Sequence, residues 1–192
     1  MKVLCIIPAR YASTRLPGKP LRDIAGKPMI VRVYERAVRA KRVQDVVVAT
    51  DDERIRAAVE AHGGRAVMTR ADHATGTDRL AEVAEKMTGY DLIINVQGDE
   101  PLIDPAVIDA LVEPFLTDEQ LPMATAKTLL TDEEEIANPN NVKVITDLTG
   151  NALYFSRARI PYARNAGAKV YKHIGIYAYR RDFLLAYARM AQ

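Results

Sequence analysis

Short apolar runs alternate with amphipathic segments up to about residue 130. Residues 2–8 form a continuous apolar, β-branched run, which is typical of a strand buried on both faces of a parallel sheet. From Pro28 to Val38, apolar residues recur at helical spacing with charged residues on the other face, which predicts an amphipathic helix. Continued alternation of this kind predicts βαβ units. The further predicted strands are 45–50, 66–69, 91–96 and 123–130, and the further predicted helices contain Ile55, Leu80 and Val107, the last ending or kinking near Pro114.

The pattern changes beyond Asn141. VKVIT, a DLTG turn and ALYFSR predict an antiparallel hairpin, and a strand HIGIYAY and a last apolar helix follow. No linker-like Gly/Ser segment separates these elements from the first part. We therefore expect an α/β fold with a mostly parallel, Rossmann-like domain over residues 1–130 and a smaller mixed β/α subdomain over residues 131–192.

Composition adds few constraints. Apolar residues make up 48% of the chain and charged residues 27%, as in ordinary soluble domains. The 27 Lys and Arg residues nearly balance the 25 Asp and Glu residues, so neither a nucleic acid nor a membrane is expected as partner. The absence of a signal-peptide pattern leads us to expect the cytoplasm. The single cysteine, Cys5, lies in the first apolar run and is expected to be a buried hydrophobe.

A basic loop follows the first predicted strand. It reads PARYASTRLPGKPL over residues 8–21, with three cations among small and hydroxylated residues: Arg10, Arg15 and Lys19 with Ser13, Thr14 and Gly18. Guanidinium groups bind phosphate oxygens bidentately, an ammonium acts as a point charge, and glycine lets the backbone approach a ligand. This loop, which is neither a Walker A loop nor a GxGxxG motif, favours a polyphosphate ligand. A solvated basic turn is the alternative.

Two carboxylates follow a later apolar strand, in the segment VQGDEP. Because ligands bind beyond the carboxyl ends of the strands in an open parallel sheet, Asp99 and Glu100 are expected at the same sheet edge as the basic loop. Mg²⁺ typically takes one or two protein carboxylates with phosphates and waters, so Asp99 is a candidate ligand. A helix cap is an equally good interpretation of Asp99.

The segment HATGTDR, residues 73–79, precedes a predicted helix. Free N–H groups at a helix N-terminus favour anions, although capping of the helix explains the same residues equally well. His62 is expected to be a cap or a surface residue. His173, beside Tyr177, is the histidine that could face a cleft at the sheet edge.

Taken together, these segments resemble one enzyme family. PARYASTRLPGKPL, ATDD, HATGTDR, NVQGDEPL, NVKVI, ALYFSRARIP and KHIGIYAY are similar to the motifs of 3-deoxy-manno-octulosonate cytidylyltransferases, the CMP-Kdo synthetases, in order along essentially the whole chain. The resemblance implies a fold of the nucleotide-diphospho-sugar transferase type, with a smaller subdomain for dimerisation and sugar binding. It also implies a cytoplasmic homodimer that joins CMP from CTP to Kdo, releasing pyrophosphate, for lipopolysaccharide biosynthesis.

The resemblance implies three groups of site residues. Arg10, Lys19 and Asp99 are expected to be catalytic, with Asp99 holding Mg²⁺. The expected CTP contacts are Ala9, Arg10, Ser13, Arg15, Lys19, Thr75, Gly76 and Arg79, and the expected sugar contacts are Gln97, Arg157, His173 and Tyr177. The implied mechanism is in-line attack by the anomeric hydroxyl of Kdo on the α-phosphorus of CTP.

The sequence departs from the family at its C-terminal end. It stops at Gln192, where family members continue with an LEQLR-type and then a GVDTPED-type segment that would supply a second acidic metal ligand. A non-catalytic, nucleotide-binding fragment of the family is therefore one alternative. Another is an acylneuraminate cytidylyltransferase, which performs the same chemistry on another sugar acid but usually lacks RLPGKPL. Near-neutral charge disfavours a nucleic-acid-binding module.

Overall fold

A computed structural model gives the fold of residues 1–12, 16–164 and 167–190. Contacts divide the chain into two compact units, Met1–Ala124 with Ile176–Gln192, and Thr125–Gly175. In these ranges no helix is both long and apolar enough to cross a membrane. The elements in chain order are β1 (Val3–Ala9), a 3-10 helix (Lys19–Leu21), β2 (Asp23–Ile24), β3 (Lys27–Pro28), α1 (Met29–Ala37), β4 (Asp45–Thr50), α2 (Glu53–Ala61), β5 (Ala66–Met68), α3 (Gly76–Lys86), β6 (Leu92–Asn95), α4 (Pro105–Thr117), β7 (Met123–Leu130), α5 (Glu133–Ala137), β8 (Lys143–Thr146), β9 (Ala152–Ser156), β10 (Val170–Arg180) and α6 (Arg181–Ala188).

The first unit is built on a parallel sheet in the order β5-β4-β1-β6. β1 lies between two parallel neighbours and is almost wholly buried, which is why its sequence is an uninterrupted apolar run. The last residues of β10, Tyr177–Arg180, add an antiparallel strand beside β6. The predicted α/β fold with a mostly parallel sheet is confirmed.

The helices of the first unit begin at side-chain caps that the sequence contains. α3 starts with a capping box, in which Thr75 accepts from the Asp78 N–H while the Asp78 carboxylate accepts from the Thr75 N–H. α2 and α4 start at Asp52 and Asp104, whose carboxylates accept from backbone N–H groups of the first turn. These caps fix the points at which the chain turns from the sheet edge into each helix.

α4 does not end at Pro114, one of the two outcomes that the sequence allows there. The Asp118 N–H donates to the Pro114 carbonyl at 3.0 Å, so helical bonding continues past the proline to Thr117. Proline removes one backbone donor and crowds the preceding turn. Burial of Phe115 in the core on the same turn offsets that cost.

The second unit contains the hairpin predicted after Asn141. β8 and β9 pair antiparallel with a register shift at Ile145 and Thr146, and β8 also pairs with the first part of β10. A small core cluster of Leu130, Ile136 and Val170 lies in this unit. The helix α5 within it is short and starts at the Asp132 cap.

The division into two compact units differs from the predicted division at residue 130. That boundary was placed at the end of the βα alternation, and as a domain boundary it stays a prediction. By their contacts, residues 176–192 belong to the first unit. The physical reason is that Tyr177–Arg180 pair with β6 and that α6 packs on α3, with Leu184 buried against Leu80 and Val83. Chain order alone does not reveal such long-range pairing.

Candidate active site

Two loops meet at the carboxyl edge of the parallel sheet in the first unit. Lys19, from the loop after β1, donates to Asp99 Oδ2, from the loop after β6, at 2.5 Å. Between them, Gly98 lies so close to β1 that an added Cβ would stand 2.7 Å from the Pro8 carbonyl oxygen. Glycine is therefore required for the two loops to approach. Asp99 is not a helix cap, because α4 is capped by Asp104.

The buried guanidinium group of Arg79 is the most unusual feature of this edge. Arg79 is fully buried in the first turns of α3, where Nη1 donates to Thr69 Oγ1 and lies 3.3 Å from Asp51 Oδ1. Within the described ranges, Nε and Nη2 of Arg79 and that Asp51 oxygen have no hydrogen-bond partner. Burial, and after it the charge of Arg10, lowers the pKa of Arg79, while Asp51 opposes the shift.

Arg10 adds a second guanidinium to this cluster. It follows Ala9, the buried last residue of β1, and its Nη2 is also buried with no partner among the residues that the structure describes. Buried N–H groups are rarely left unpaired, because desolvation without a hydrogen bond is costly. The cluster of Arg10, Arg79 and Asp51 thus carries excess positive charge and free donors, as a binding site for an anion does.

The loop that carries Arg10 is held from the side of α2. The Arg54 guanidinium lies 3.4 Å above the centre of the Tyr11 ring and donates to both carboxylate oxygens of Asp52, at 3.0 and 2.6 Å. The Tyr11 ring in turn contacts Gly18, whose N–H donates to the Tyr11 carbonyl. Of the predicted contacts in this loop, Ser13 and Arg15 lie outside the described residues.

A cavity of about 360 Å³ opens where the end of β1 and the first turn of α3 meet. Its walls are Pro8, Gly76, Thr77, Asn95, Gln97, Met123, Tyr177, Tyr179 and Tyr187. It therefore brings together three predicted site residues, Gly76, Gln97 and Tyr177, from separate segments of the chain. Gly76 and Thr77 form the first turn of α3, where backbone N–H groups are not consumed by the helix. Thr75, which with Gly76 and Arg79 was predicted from this segment, is engaged in the capping box.

Asn95 and Tyr179 are cavity residues that the sequence analysis missed. The Asn95 Oδ1 is buried and, as far as the structure describes the chain, has no hydrogen-bond partner. The rings of Tyr177 and Tyr179 stack with centroids 6.0 Å apart, and burial raises the pKa of both phenols, which stay protonated donors at neutral pH. A polar residue ending a strand that is otherwise apolar was the available signal for Asn95.

Arg157 and His173, the other predicted sugar contacts, lie in the second unit. The His173 ring meets Phe155 edge-on at 4.8 Å, and its Nε2 lies 2.8 Å from Thr125 Oγ1. Burial lowers the pKa of His173, so the imidazole is neutral at pH 7. Arg157 is exposed and donates from Nη1 to the Pro139 carbonyl at 2.9 Å. The other two histidines are structural, since His62 caps α2 and His73 is buried against Glu82.

The donor set for a metal ion is sparse. The described ranges contain no group of three or more His, Cys, Asp or Glu side chains arranged to hold a metal. Asp99 therefore offers a lone carboxylate at the sheet edge, half-exposed and already paired with Lys19. Such a site suits a cation that takes most of its ligands from phosphates and water, as Mg²⁺ does. It does not suit a structural zinc ion, which needs four protein ligands.

Comparison with known proteins identifies relatives along the whole chain. The sequence profile of the cytidylyltransferase family matches residues 4–192. A 3-deoxy-manno-octulosonate cytidylyltransferase of Geobacter metallireducens is 53% identical over 203 residues, covering 100% of this chain and 80% of the relative. The protein of the same name from Fusobacterium nucleatum is 55% identical over 191 residues, covering 99% and 78%. A solved structure described as CMP:2-keto-3-deoxy-manno-octonic acid synthetase complexed with CTP superposes with a TM-score of 0.94 at 52% identity, covering 100% of this chain and 79% of that one.

Proposed function

Because this chain belongs to the 3-deoxy-manno-octulosonate cytidylyltransferase family, a family of nucleotidyltransferases, we propose that it joins CMP from CTP to Kdo and releases pyrophosphate. The product is the activated sugar for lipopolysaccharide. The observation that carries the proposal is the buried pair of guanidinium groups, Arg10 and Arg79, with unpaired N–H groups at the carboxyl edge of the sheet.

A nucleoside triphosphate fits this cluster better than a singly charged anion does. Arg79 lies 3.3 Å from Asp51 and close enough to Arg10 for the two positive charges to interact, and Lys19 adds a third cation at the same edge. The triphosphate would pair the N–H groups that otherwise stay buried without partners. The first-turn N–H groups at Gly76 and Thr77 supply further donors for a phosphate or a base oxygen.

The neighbouring cavity suits the sugar acid. Its polar groups are the amides of Asn95 and Gln97 and the tyrosine hydroxyls, which donate to and accept from sugar hydroxyls. The rings of Tyr177 and Tyr179 line the cavity and contribute apolar surface against which a pyranose ring can pack. In this arrangement the anomeric hydroxyl approaches the α-phosphorus from the cavity side, and the site needs no covalent intermediate.

Members of this family generally depend on a metal ion, and we propose Mg²⁺ held by Asp99. When bound, Mg²⁺ neutralises phosphate charge and so favours departure of pyrophosphate. Lys19 holds the Asp99 carboxylate in place, and its ammonium would supply positive charge to the phosphates at this edge. Arg10 and Arg79 fix the triphosphate from the buried side.

Pyrophosphate release tests the proposal directly. The chain is incubated with CTP and Mg²⁺ and with Kdo, N-acetylneuraminate or no sugar, and CTP binding is measured separately by calorimetry. Release with Kdo alone supports the proposed function. Release with N-acetylneuraminate contradicts the choice of sugar, and CTP binding without release contradicts catalysis by this chain. The expected homodimer is checked by sedimentation, and the expected cytoplasmic location by cell fractionation.

A further inference from the structure

Lys143 is a fully buried lysine without a carboxylate partner in the part of the chain that the structure describes. It lies on β8 with no exposed surface. Its ammonium donates to three backbone carbonyls, those of Asn138 at 2.9 Å, Asn141 at 2.9 Å and Arg157 at 2.8 Å. An ammonium has three donors, so each is matched by one acceptor. These three carbonyls with the Lys143 ammonium are called the carbonyl cage below.

The carbonyl cage closes the turn of residues 138–141. Asn138 and Asn141 are the two ends of this turn, and their carbonyls converge on the same ammonium. The turn is further closed by the Asn141 N–H, which donates to the Asn138 carbonyl at 3.2 Å. The Asn141 side chain donates to the Glu135 carbonyl at 2.9 Å and so ties the turn to α5. The geometry of the turn therefore depends on a cation at its centre.

Arg157 is attached to the carbonyl cage at two points. Its carbonyl accepts from Lys143, and its side chain donates from Nη1 to the carbonyl of Pro139, inside the turn. The Lys143 ammonium thus fixes the backbone of Arg157 directly, and it fixes the guanidinium through the turn that contains Pro139. Burial lowers the pKa of Lys143, and the charge of Arg157 adds to the shift, so the two cations stand close together.

A buried ammonium is a costly way to fill space. An apolar side chain of similar volume would fill the same position without desolvating a charge, and replacing buried ions by apolar residues is often neutral or stabilising. What an apolar residue cannot do is bind three carbonyl oxygens in fixed directions. The chemistry of this position thus points to the placement of the turn and of Arg157 rather than to stability alone.

We propose that Lys143 is the positioning residue for Arg157: the carbonyl cage fixes the 138–141 turn and thereby aims the Arg157 guanidinium at an anionic group of the substrate. This inference rests on the proposed function and on the prediction from the sequence that Arg157 contacts the sugar acid. Lys143 itself does not touch the substrate, because its donors are all used.

The test compares Lys143→Met with wild type and with Val170→Ala. Methionine keeps the length and the apolar stem of lysine and removes the donors. Val170 is buried in the core of the same unit and takes part in none of the hydrogen bonds of the carbonyl cage described above, so Val170→Ala controls for loss of packing. Steady-state kinetics give KM for Kdo, KM for CTP and kcat for each variant. Amide hydrogen exchange then reports on residues 138–142 and 157–158, with β1 as an internal reference.

The expected result for Lys143→Met is a rise of about tenfold or more in KM for Kdo, with KM for CTP within about twofold of wild type. Exchange is expected to accelerate in the two segments and to stay unchanged in β1. An unchanged KM for Kdo, or an equal rise in Val170→Ala, overturns the positioning role. Unchanged exchange overturns the carbonyl cage. If wild type releases no pyrophosphate with Kdo, the proposed function fails and the positioning role with it, whereas the exchange data still decide whether the carbonyl cage exists.

Discussion

The Lys19–Asp99 pair at the sheet edge should separate turnover from stability when either partner is removed. The two side chains are 40% and 49% exposed, so the pair is well solvated. Exposed pairs contribute roughly 0.2–1 kcal/mol to the free energy of unfolding. In a chain of this length, that corresponds to a fall of at most about 4 °C in Tm. If the pair served stability alone, removing either side chain would therefore change the protein very little.

The expected effect on catalysis is much larger. Loss of a cation or of a metal-binding carboxylate at a phosphoryl centre costs several kcal/mol of transition-state stabilisation, so Lys19→Ala or Asp99→Ala should lower kcat by roughly 10²-fold or more. This factor equals about 2.7 kcal/mol in activation free energy. The assay is coupled pyrophosphate release with CTP and Kdo, and thermal unfolding of the same samples gives Tm.

The ion pair of Arg42 and Glu113 provides a matched control. Its side chains are 41% and 53% exposed, close to the values for the Lys19–Asp99 pair. Arg42 precedes β4, so this pair lies at the amino ends of the strands, away from the candidate site. Glu113→Ala should change Tm by as little as Asp99→Ala and leave kcat unchanged. Near-normal turnover in both Lys19→Ala and Asp99→Ala would refute the assigned roles, and so would an equal loss in Glu113→Ala.

Three further predictions concern buried groups. Arg79→Met should weaken CTP binding at least about tenfold in calorimetry at a temperature where the variant is folded, and should lower thermal stability, because Asp51 and the Thr69 hydroxyl lose their buried partner; strong binding by this variant would contradict a phosphate contact. Burial alone would raise the pKa of Glu82, but hydrogen bonds from Lys86 and His73 lower it from 4.5 to about 2. The resulting stabilisation, on the order of 1–3 kcal/mol, is present above pH 4.5 and lost as the pH falls toward 2, so urea unfolding of Glu82→Gln should show a smaller loss over this window. Burial raises the pKa of Cys5 to about 12, so a thiol reagent should label the chain at pH 8 only after unfolding in urea.

Much of the fold could be predicted because burial leaves a clear periodic signal. The runs in β1, β4 and β6 are apolar on both faces, and the helices between them have one apolar face. The short ribbon of β2 and β3 was missed because its turn, Ala25-Gly26, places an alanine at φ 52°, where the sequence rules expect Asn, Asp or Gly. α5 was missed because its five residues hold too little periodicity to detect.

The location of the candidate site could be predicted from the sequence, but the burial of its residues could not. The rule that ligands bind at the carboxyl ends of parallel strands brought Lys19 and Asp99 to one edge, and the structure pairs them. The burial of Arg79 depends on how α3 packs on the sheet, and no local pattern encodes it. Asp51 was missed for the same reason, since its pairing with Arg79 follows from tertiary packing. Asn95 had a local signal, a polar residue at the end of an apolar strand, but its burial follows from tertiary packing as well.

Nucleotide binding at Arg10 and Arg79, as proposed above, would couple the folding of the chain to the supply of that nucleotide. Without an anion, the folded chain carries the cost of desolvated donors, and the unfolded chain does not. A nucleotide that binds only the folded form raises stability by RT ln(1 + [L]/Kd), about 2.7 kcal/mol at a hundredfold excess over Kd. Unfolding and nucleotide supply are then a single linked equilibrium. The fraction of chains open to proteolysis would fall about a hundredfold as the nucleotide pool fills, so that the cell's pool of triphosphate would set the lifetime of the protein that consumes it.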